Sequence, residues 1–179
     1  MRTKLITTLA ASLVLAGGGI AVAQDVIGTD GGPAGAQPGG LVQTACGQEQ
    51  LNLVRTQNAP TATSNVAPAV IPGTAYGFAV PANASRCVKV LLTAETSCTD
   101  SNANDYCYVQ AQIDGAPMDP DGAGFMAIDS EDSTASAHAF EWVQRVGPGN
   151  HVLTITQAVR NNNTVFRLDD WTQDITIRG

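Results

Sequence analysis

Basic side chains are scarce in this chain. Nine of its 179 residues are Lys or Arg against 16 Asp or Glu, and two of the nine, Arg2 and Lys4, fall at the very start. Beyond residue 23 seven cations face 16 carboxylates, a net charge of −9, and Lys89 is the only lysine. Such a surface repels polyanions, whereas nucleic-acid binding needs a clustered basic face to neutralise phosphates. No nucleic acid and no anionic lipid surface is expected as a partner.

Histidine is nearly absent too. His138 and His151 are the only two, which limits acid–base and transition-metal chemistry near neutral pH. No Gly-x-Ser-x-Gly occurs to present a nucleophilic serine, and no His-Glu-x-x-His occurs to hold a catalytic zinc. Long hydrophobic runs are missing as well. The apolar stretch 5–16 stops at Gly17-Gly18-Gly19, short of the roughly 20 residues a membrane span requires, so no membrane insertion is expected.

What is present at the start has a different meaning. Arg2 and Lys4, the apolar stretch behind them, and Ala21-Val22-Ala23 before Gln24 form the cationic, hydrophobic and small-residue regions of a secretory signal peptide over 1–23. The expected destination is outside the cytosol, periplasmic or extracellular. Residues 24–45, rich in Gly, Pro, Ala and Gln, lack any apolar period and read as a flexible linker. Residues 46–179 are long enough for one domain with its own core.

All four cysteines, Cys46, Cys87, Cys98 and Cys107, lie in that domain. An even set in an exported chain implies two disulfides. Cys98 follows one strand-like run and Cys107 opens the next, so an antiparallel return sets them opposite each other and leaves Cys46 for Cys87. With no thiol left over, a cysteine nucleophile is not expected.

The domain has the texture of strands and turns. In 87–95, Val88, Val90, Leu92 and Ala94 alternate with Lys89, Thr93 and Glu95, and in 106–113, Cys107, Val109, Ala111 and Ile113 alternate with Tyr108, Gln110 and Gln112. This period of two belongs to half-buried strands. Asp114-Gly115 is a turn signal. The runs 135–146, 151–160, 164–168 and 171–178 are bounded by Gly147-Pro148-Gly149-Asn150 and Asn161-Asn162-Asn163, and weaker runs occupy 50–56 and 76–80. About eight strands and no helical period give an all-β fold: a two-sheet antiparallel β-sandwich, jelly-roll-like, with an immunoglobulin-like sandwich as the alternative.

The stretch Gly147-Pro148-Gly149-Asn150-His151-Val152-Leu153-Thr154-Ile155, with Phe166-Arg167-Leu168-Asp169-Asp170-Trp171 and the closing Ile175-Thr176-Ile177, resembles the C-terminal half of small secreted bacterial β-sandwich proteins. In these a glycine turn feeds a strand and a terminal strand completes the sheet. The resemblance covers the last third of the chain. It implies the jelly-roll-like sandwich and carries no catalytic residue across.

Three kinds of site remain to be weighed. Glu141, Asp169, Asp170 and Asp174 are carboxylates that a glycosidase-like pair could draw on, Glu141 with Asp170 in particular. Asp119, Asp121, Asp129, Glu131 and Asp132 bunch hard oxygen donors in two loops, so calcium is the one ion with any support; no other cofactor is expected. His138 and Glu141, three apart on a strand, face opposite ways and do not form a metal pair. Tyr108, Trp142 and Trp171 are the aromatics on which a sugar could stack, if exposed. The leading expectation is a secreted, non-enzymatic β-sandwich module that binds or packs against an extracellular protein or glycan. The alternatives are a small secreted carboxylate-dependent hydrolase and a structural or assembly protein of the cell surface.

Overall fold

A computed structural model describes residues 46–100, 105–121, 126–130 and 134–179. Residues 1–45, where a signal peptide and a linker are expected, and the calcium candidates Glu131 and Asp132 lie outside the described residues. Within them the chain forms β1 (Glu49–Gln57), β2 (Thr61–Thr63), β3 (Ala69–Val70), β4 (Tyr76–Val80), β5 (Arg86–Thr99), β6 (Tyr106–Ile113), β7 (Ala116–Pro117), β8 (Met126–Ser130), β9 (Ser136–Val146), β10 (Gly149–Val159) and β11 (Val165–Arg178). No helix among the described residues is long and apolar enough to cross a membrane.

All pairings are antiparallel and build two sheets. The first runs β1-β11-β5-β9 with β2 also on β11; the second runs β3-β10-β6-β7 with β4 also on β10 and β8 also on β6. Three edge positions are thus filled by two short strands laid end to end: β1 and β2, β3 and β4, β7 and β8. Counted by position there are eight, in the order 1-8-3-6 and 2-7-4-5. Consecutive positions 1 and 2 lie in opposite sheets, as in a jelly roll, whereas an immunoglobulin-like sandwich pairs its first two strands in one sheet.

Alternation along each strand sorts side chains between core and solvent. Val88, Val90, Leu92 and Ala94 of β5 face inward, opposite Val109, Ala111 and Ile113 of β6 and Leu153 and Ile155 of β10, all between 0 and 3% exposed. The two disulfides are Cys46–Cys87 and Cys98–Cys107, with Cα–Cα distances of 5.4 and 5.8 Å. The first ties residues preceding β1 to β5, and the second links the end of β5 in one sheet to the start of β6 in the other.

Each interruption of an edge has a local cause. Asp169 pairs with Glu95 and Thr172 with Thr93, so β11 carries a bulge, and Asp170 takes a positive φ of 40° there. On the other side of β11, β1 ends at Gln57 opposite Trp171 and β2 begins at Thr61 opposite Leu168. The residues 164–168 and 171–178, read from the sequence as separate strands, are therefore one bent strand. Between β3 and β4, Pro72 has no N–H and Gly73 sits at φ +86°, so the ladder on β10 stops. The buried Thr74 replaces it: its hydroxyl donates to Ile71 O at 2.8 Å and accepts from Ile155 N at 3.2 Å. Between β7 and β8, Gln110 donates its Nε2 to Met118 O at 3.0 Å.

Thr74→Val should remove that substitute while keeping the shape of the side chain. A loss of about 1–3 kcal/mol is expected, the usual cost of an unsatisfied buried polar group, read as a lower urea midpoint; Thr74→Ser should recover most of it. Replacing Cys46 and Cys87 by Ala should cost roughly 4 kcal/mol in the chain-entropy treatment of a loop this long, read the same way.

Candidate functional site

The outer face of the second sheet is built on β6. Cys107, Val109, Ala111 and Ile113 fill the core, which turns Tyr106, Tyr108, Gln110 and Gln112 the other way. Register then fixes their neighbours. Tyr108 lies between Ala158 of β10 and Ala127 of β8, and Tyr106 lies beside Ser130. Past the end of β10, the Arg160 N–H donates to Tyr106 O at 3.3 Å, so Arg160 stands opposite Tyr106. Both tyrosines are half-buried and Arg160 is exposed. Gln110 and Gln112 lie opposite Thr156 and Thr154, and the Thr156 hydroxyl donates to Gln110 O at 3.2 Å.

Two half-buried rings thus lie beside alanine and serine; Ala158, Gln110 and Thr156 on this face are 1, 0 and 5% exposed, so the amide of Gln112 and the hydroxyl of Thr154 are the groups further along it that reach solvent. Burial pushes the Tyr108 hydroxyl above its ordinary value, and Asp105 and Tyr106 add to this while the Arg160 charge opposes it. Asp105 is itself only 1% exposed; its Oδ1 accepts the Tyr106 N–H at 2.9 Å and its Oδ2 accepts the Thr164 hydroxyl.

The other two aromatic candidates are placed differently. Trp142 is 0% and Trp171 is 2% exposed. Trp142 takes an inward position of β9 and packs on Phe140, ring centroids 4.9 Å apart, and Trp171 turns inward within the bulge of β11 beneath Gly73. Neither ring offers a plane to a ligand; both are core, because each occupies an inward position of a strand in the first sheet.

The carboxylates do not converge as a pair of Glu141 with Asp170. Glu141 points outward from β9 and meets Lys89 Nζ at 3.0 Å, while Asp170 lies in the bulge, and Asp174 is separated from Glu141 by Leu91 across the sheet. Asp169 is held by Arg167 at 2.7 Å. It does meet one carboxylate that the sequence gave no reason to single out: Glu95, its cross-strand partner. Both line a shallow depression with Thr96, Ser97, Ala135 and Arg167.

Of the calcium candidates that are described, Asp129 is buried and accepts the Thr96 hydroxyl at 2.6 Å, Asp119 exchanges backbone hydrogen bonds with Val143, and Asp121 is exposed. No group of three His, Cys, Asp or Glu donors forms among the described residues.

The histidines sit at two separate corners. His138 Nε2 lies 2.6 Å from Ser136 Oγ and 3.8 Å from Asp129 Oδ1, on the face of β9 opposite to Glu141. His151 is clasped from both sides, Nδ1 to Asp114 Oδ2 at 2.7 Å and Nε2 to Gly147 O at 3.0 Å. With an acceptor at each nitrogen, the imidazolium is favoured: the Asp114 hydrogen bond first, then Gly147, raise His151 above its ordinary value against the opposing effect of burial. Asp114, at φ 55° in its turn, is lowered by the hydrogen bond to His151 and by the Val152 N–H.

No protein-family model matches the chain, and no curated protein matches it by sequence. Solved structures similar to it include the sugar-binding C-terminal domain of EclA, at 9% identity over 80% of this chain and 88% of that one, TM-score 0.39. Another is dimeric latent PorU from Porphyromonas gingivalis, at 9% identity over 78% of this chain and 14% of that one, TM-score 0.44. A family two carbohydrate esterase from Cellvibrio japonicus matches at 16% identity over 69% of this chain and 34% of that one, TM-score 0.31. Likenesses this distant have no bearing on what the chain does.

The His151 clasp gives a definite pH dependence. A histidine raised on folding contributes fully below its unfolded value of about 6.5, and the contribution fades as pH rises through the folded value. A lowered aspartate contributes above its unfolded value of about 3.9, and the contribution is lost as pH falls through the folded one. The clasp therefore acts between the two folded values. In His151→Gln the decline of melting temperature on the alkaline side of neutrality should be shallower than in the wild type, and the wild-type imidazole should titrate by NMR above its ordinary value.

Proposed function

We propose that this chain is an exported β-sandwich module that binds carbohydrate, with the outer face of the second sheet as its binding face. The observation that carries the reading is the placement of Tyr106 and Tyr108 at successive outward positions of β6, with Ala127, Ala158 and Ser130 as their in-register neighbours. Two such positions are about 7 Å apart along a strand, a spacing on the scale of one sugar ring. Pyranose rings present apolar C–H faces that stack on aromatic planes, and their hydroxyls need partners that both donate and accept. Gln112 and Thr154 supply these groups on the same face. Small neighbours matter because a bulky side chain in register would cover the ring edges. The two disulfides and the signal-peptide pattern of 1–23 support a place of action outside the cytosol.

One observation favours a hydrolase as a second reading: Glu95 and Asp169 face each other across two strands in a shallow depression. Cross-strand positions bring Cβ atoms within about 5 Å, which is in the range a retaining pair of carboxyl groups uses. Arg167, bound to Asp169, holds that carboxylate as a salt-bridge partner instead.

The test is affinity electrophoresis and calorimetry of the protein against a panel of soluble polysaccharides. Tyr106→Ala with Tyr108→Ala should weaken binding tenfold or more, equivalent to about 1.4 kcal/mol, with the circular-dichroism spectrum unchanged. A wild-type protein that binds no glycan, or a double variant that binds as well as the wild type, overturns the reading. Release of reducing ends that is abolished in Glu95→Gln would replace it with the hydrolase.

A further inference from the structure

Resting on the carbohydrate-binding reading, we infer that the face selects glycans bearing carboxylates, the uronic-acid class, and that Arg160 is the residue that reads the carboxylate. The cations of this chain are few and most are committed. Lys89 is paired with Glu141, Arg167 with Asp169 and Arg178 with Glu49, while Arg55 and Arg86 donate to the carbonyls of Ala75 and Ser85. Arg160 makes no ion pair among the described residues, although carboxylates outnumber cations in the sequence by 16 to nine. It is exposed, and it stands opposite Tyr106 on the face that carries both tyrosines.

Asp105, the carboxylate next to Tyr106 in the chain, makes no ion pair with Arg160. Asp105 is 1% exposed and its two oxygens are taken by the Tyr106 N–H and the Thr164 hydroxyl. A guanidinium has a planar fork of donors that matches a carboxylate in two parallel hydrogen bonds. Neighbouring strands are about 4.8 Å apart, so a pyranose stacked on Tyr106 would bring its C6 carboxylate at the ring edge within reach of the arginine.

Charge density narrows the class further. A heavily sulfated chain needs several clustered cations, as any dense polyanion does, and this face offers one within an acidic molecule. One carboxylate per sugar, met by one arginine, fits that supply. Preference for an acidic ligand would then run against the repulsion of the whole protein, which makes it a local property that one substitution removes.

Polygalacturonate, alginate and hyaluronan, each compared with its carboxyl-esterified form, test the inference by calorimetry at low and at high salt. For at least one pair the acid form should bind about tenfold more tightly at low salt, with the difference shrinking as salt screens it. Arg160→Gln should abolish the preference, weakening binding of the acid form far more than binding of the ester. Arg86→Gln, which removes the same charge from the other end of the molecule, should retain it. Equal binding of acid and ester forms in the wild type, or a preference that survives in Arg160→Gln, overturns the role of Arg160 and leaves carbohydrate binding standing. Failure to bind any glycan, charged or neutral, brings down both.

Discussion

The backbone ladder between β5 and β11 is the constraint on which the rest of the molecule hangs. Both strands are 14 residues long, and their register runs from Thr99 opposite Val165 to Cys87 opposite Arg178. Fixing it fixes which side chains of each strand enter the core, because a slip of one residue would turn every one of them outward. The single irregularity, at Asp169 and Asp170, bends β11, turns Trp171 into the core, and brings Asp169 opposite Glu95. It also faces the point where β1 gives way to β2. One inserted residue thus shapes the core, an edge and a surface depression together.

The second sheet shows the same logic with a different result. β6 and β10 are central, and apart from the buried Gln157 their inward residues are small or aliphatic, so the tyrosines of β6 fall on the other side of the sheet. The first sheet has its aromatics within, Trp142 and Trp171, and presents to solvent a mixture of Thr, Ala, Glu and Lys. Sorting of this kind puts the large aromatic mass of the core in one sheet and leaves half-buried tyrosines on the outward side of the other. It also leaves Tyr106 and Tyr108 half-buried on an outward face, with alanine and serine as their in-register neighbours.

Most of the fold was legible in the sequence. Alternation in β5 and β6 is strong because one face of each is wholly apolar, and the pairing of cysteines followed from where those runs end. Elements of two or three residues, such as β2, β3 and β7, are too short for any period to register. β11 was divided in the sequence reading because Asp169-Asp170 carries the signature of a turn, and nothing local distinguishes a turn from a bulge. The aromatics divide instructively. Period two says which residues share a face but not which face is inside. In β9 the set His138, Phe140, Trp142 and Gln144 is hardly more apolar than Ala137, Ala139, Glu141 and Val143, so the position of Trp142 was undecidable. In β6 the company of Tyr108, Gln110 and Gln112, already marks it as facing outward. Glu95 and Arg160 acquire their meaning only through partners on other strands, which no single run of residues reveals.

Splitting three of the edge positions into short, offset strands has a consequence for the molecule in crowded solution. A continuous, straight edge of free amides and carbonyls invites another chain to add itself as the next strand, the first step toward amyloid-like stacking. Here Pro60 and Pro72 fall in two of the interruptions and the side chain of Gln110 closes the third, so an incoming strand would lose register at each break. Among the described residues β1 and β9 offer longer runs, and the bridge from Asp119 to Val143 covers part of β9. The breaks that make the fold look irregular also shorten the edges on which another chain could build.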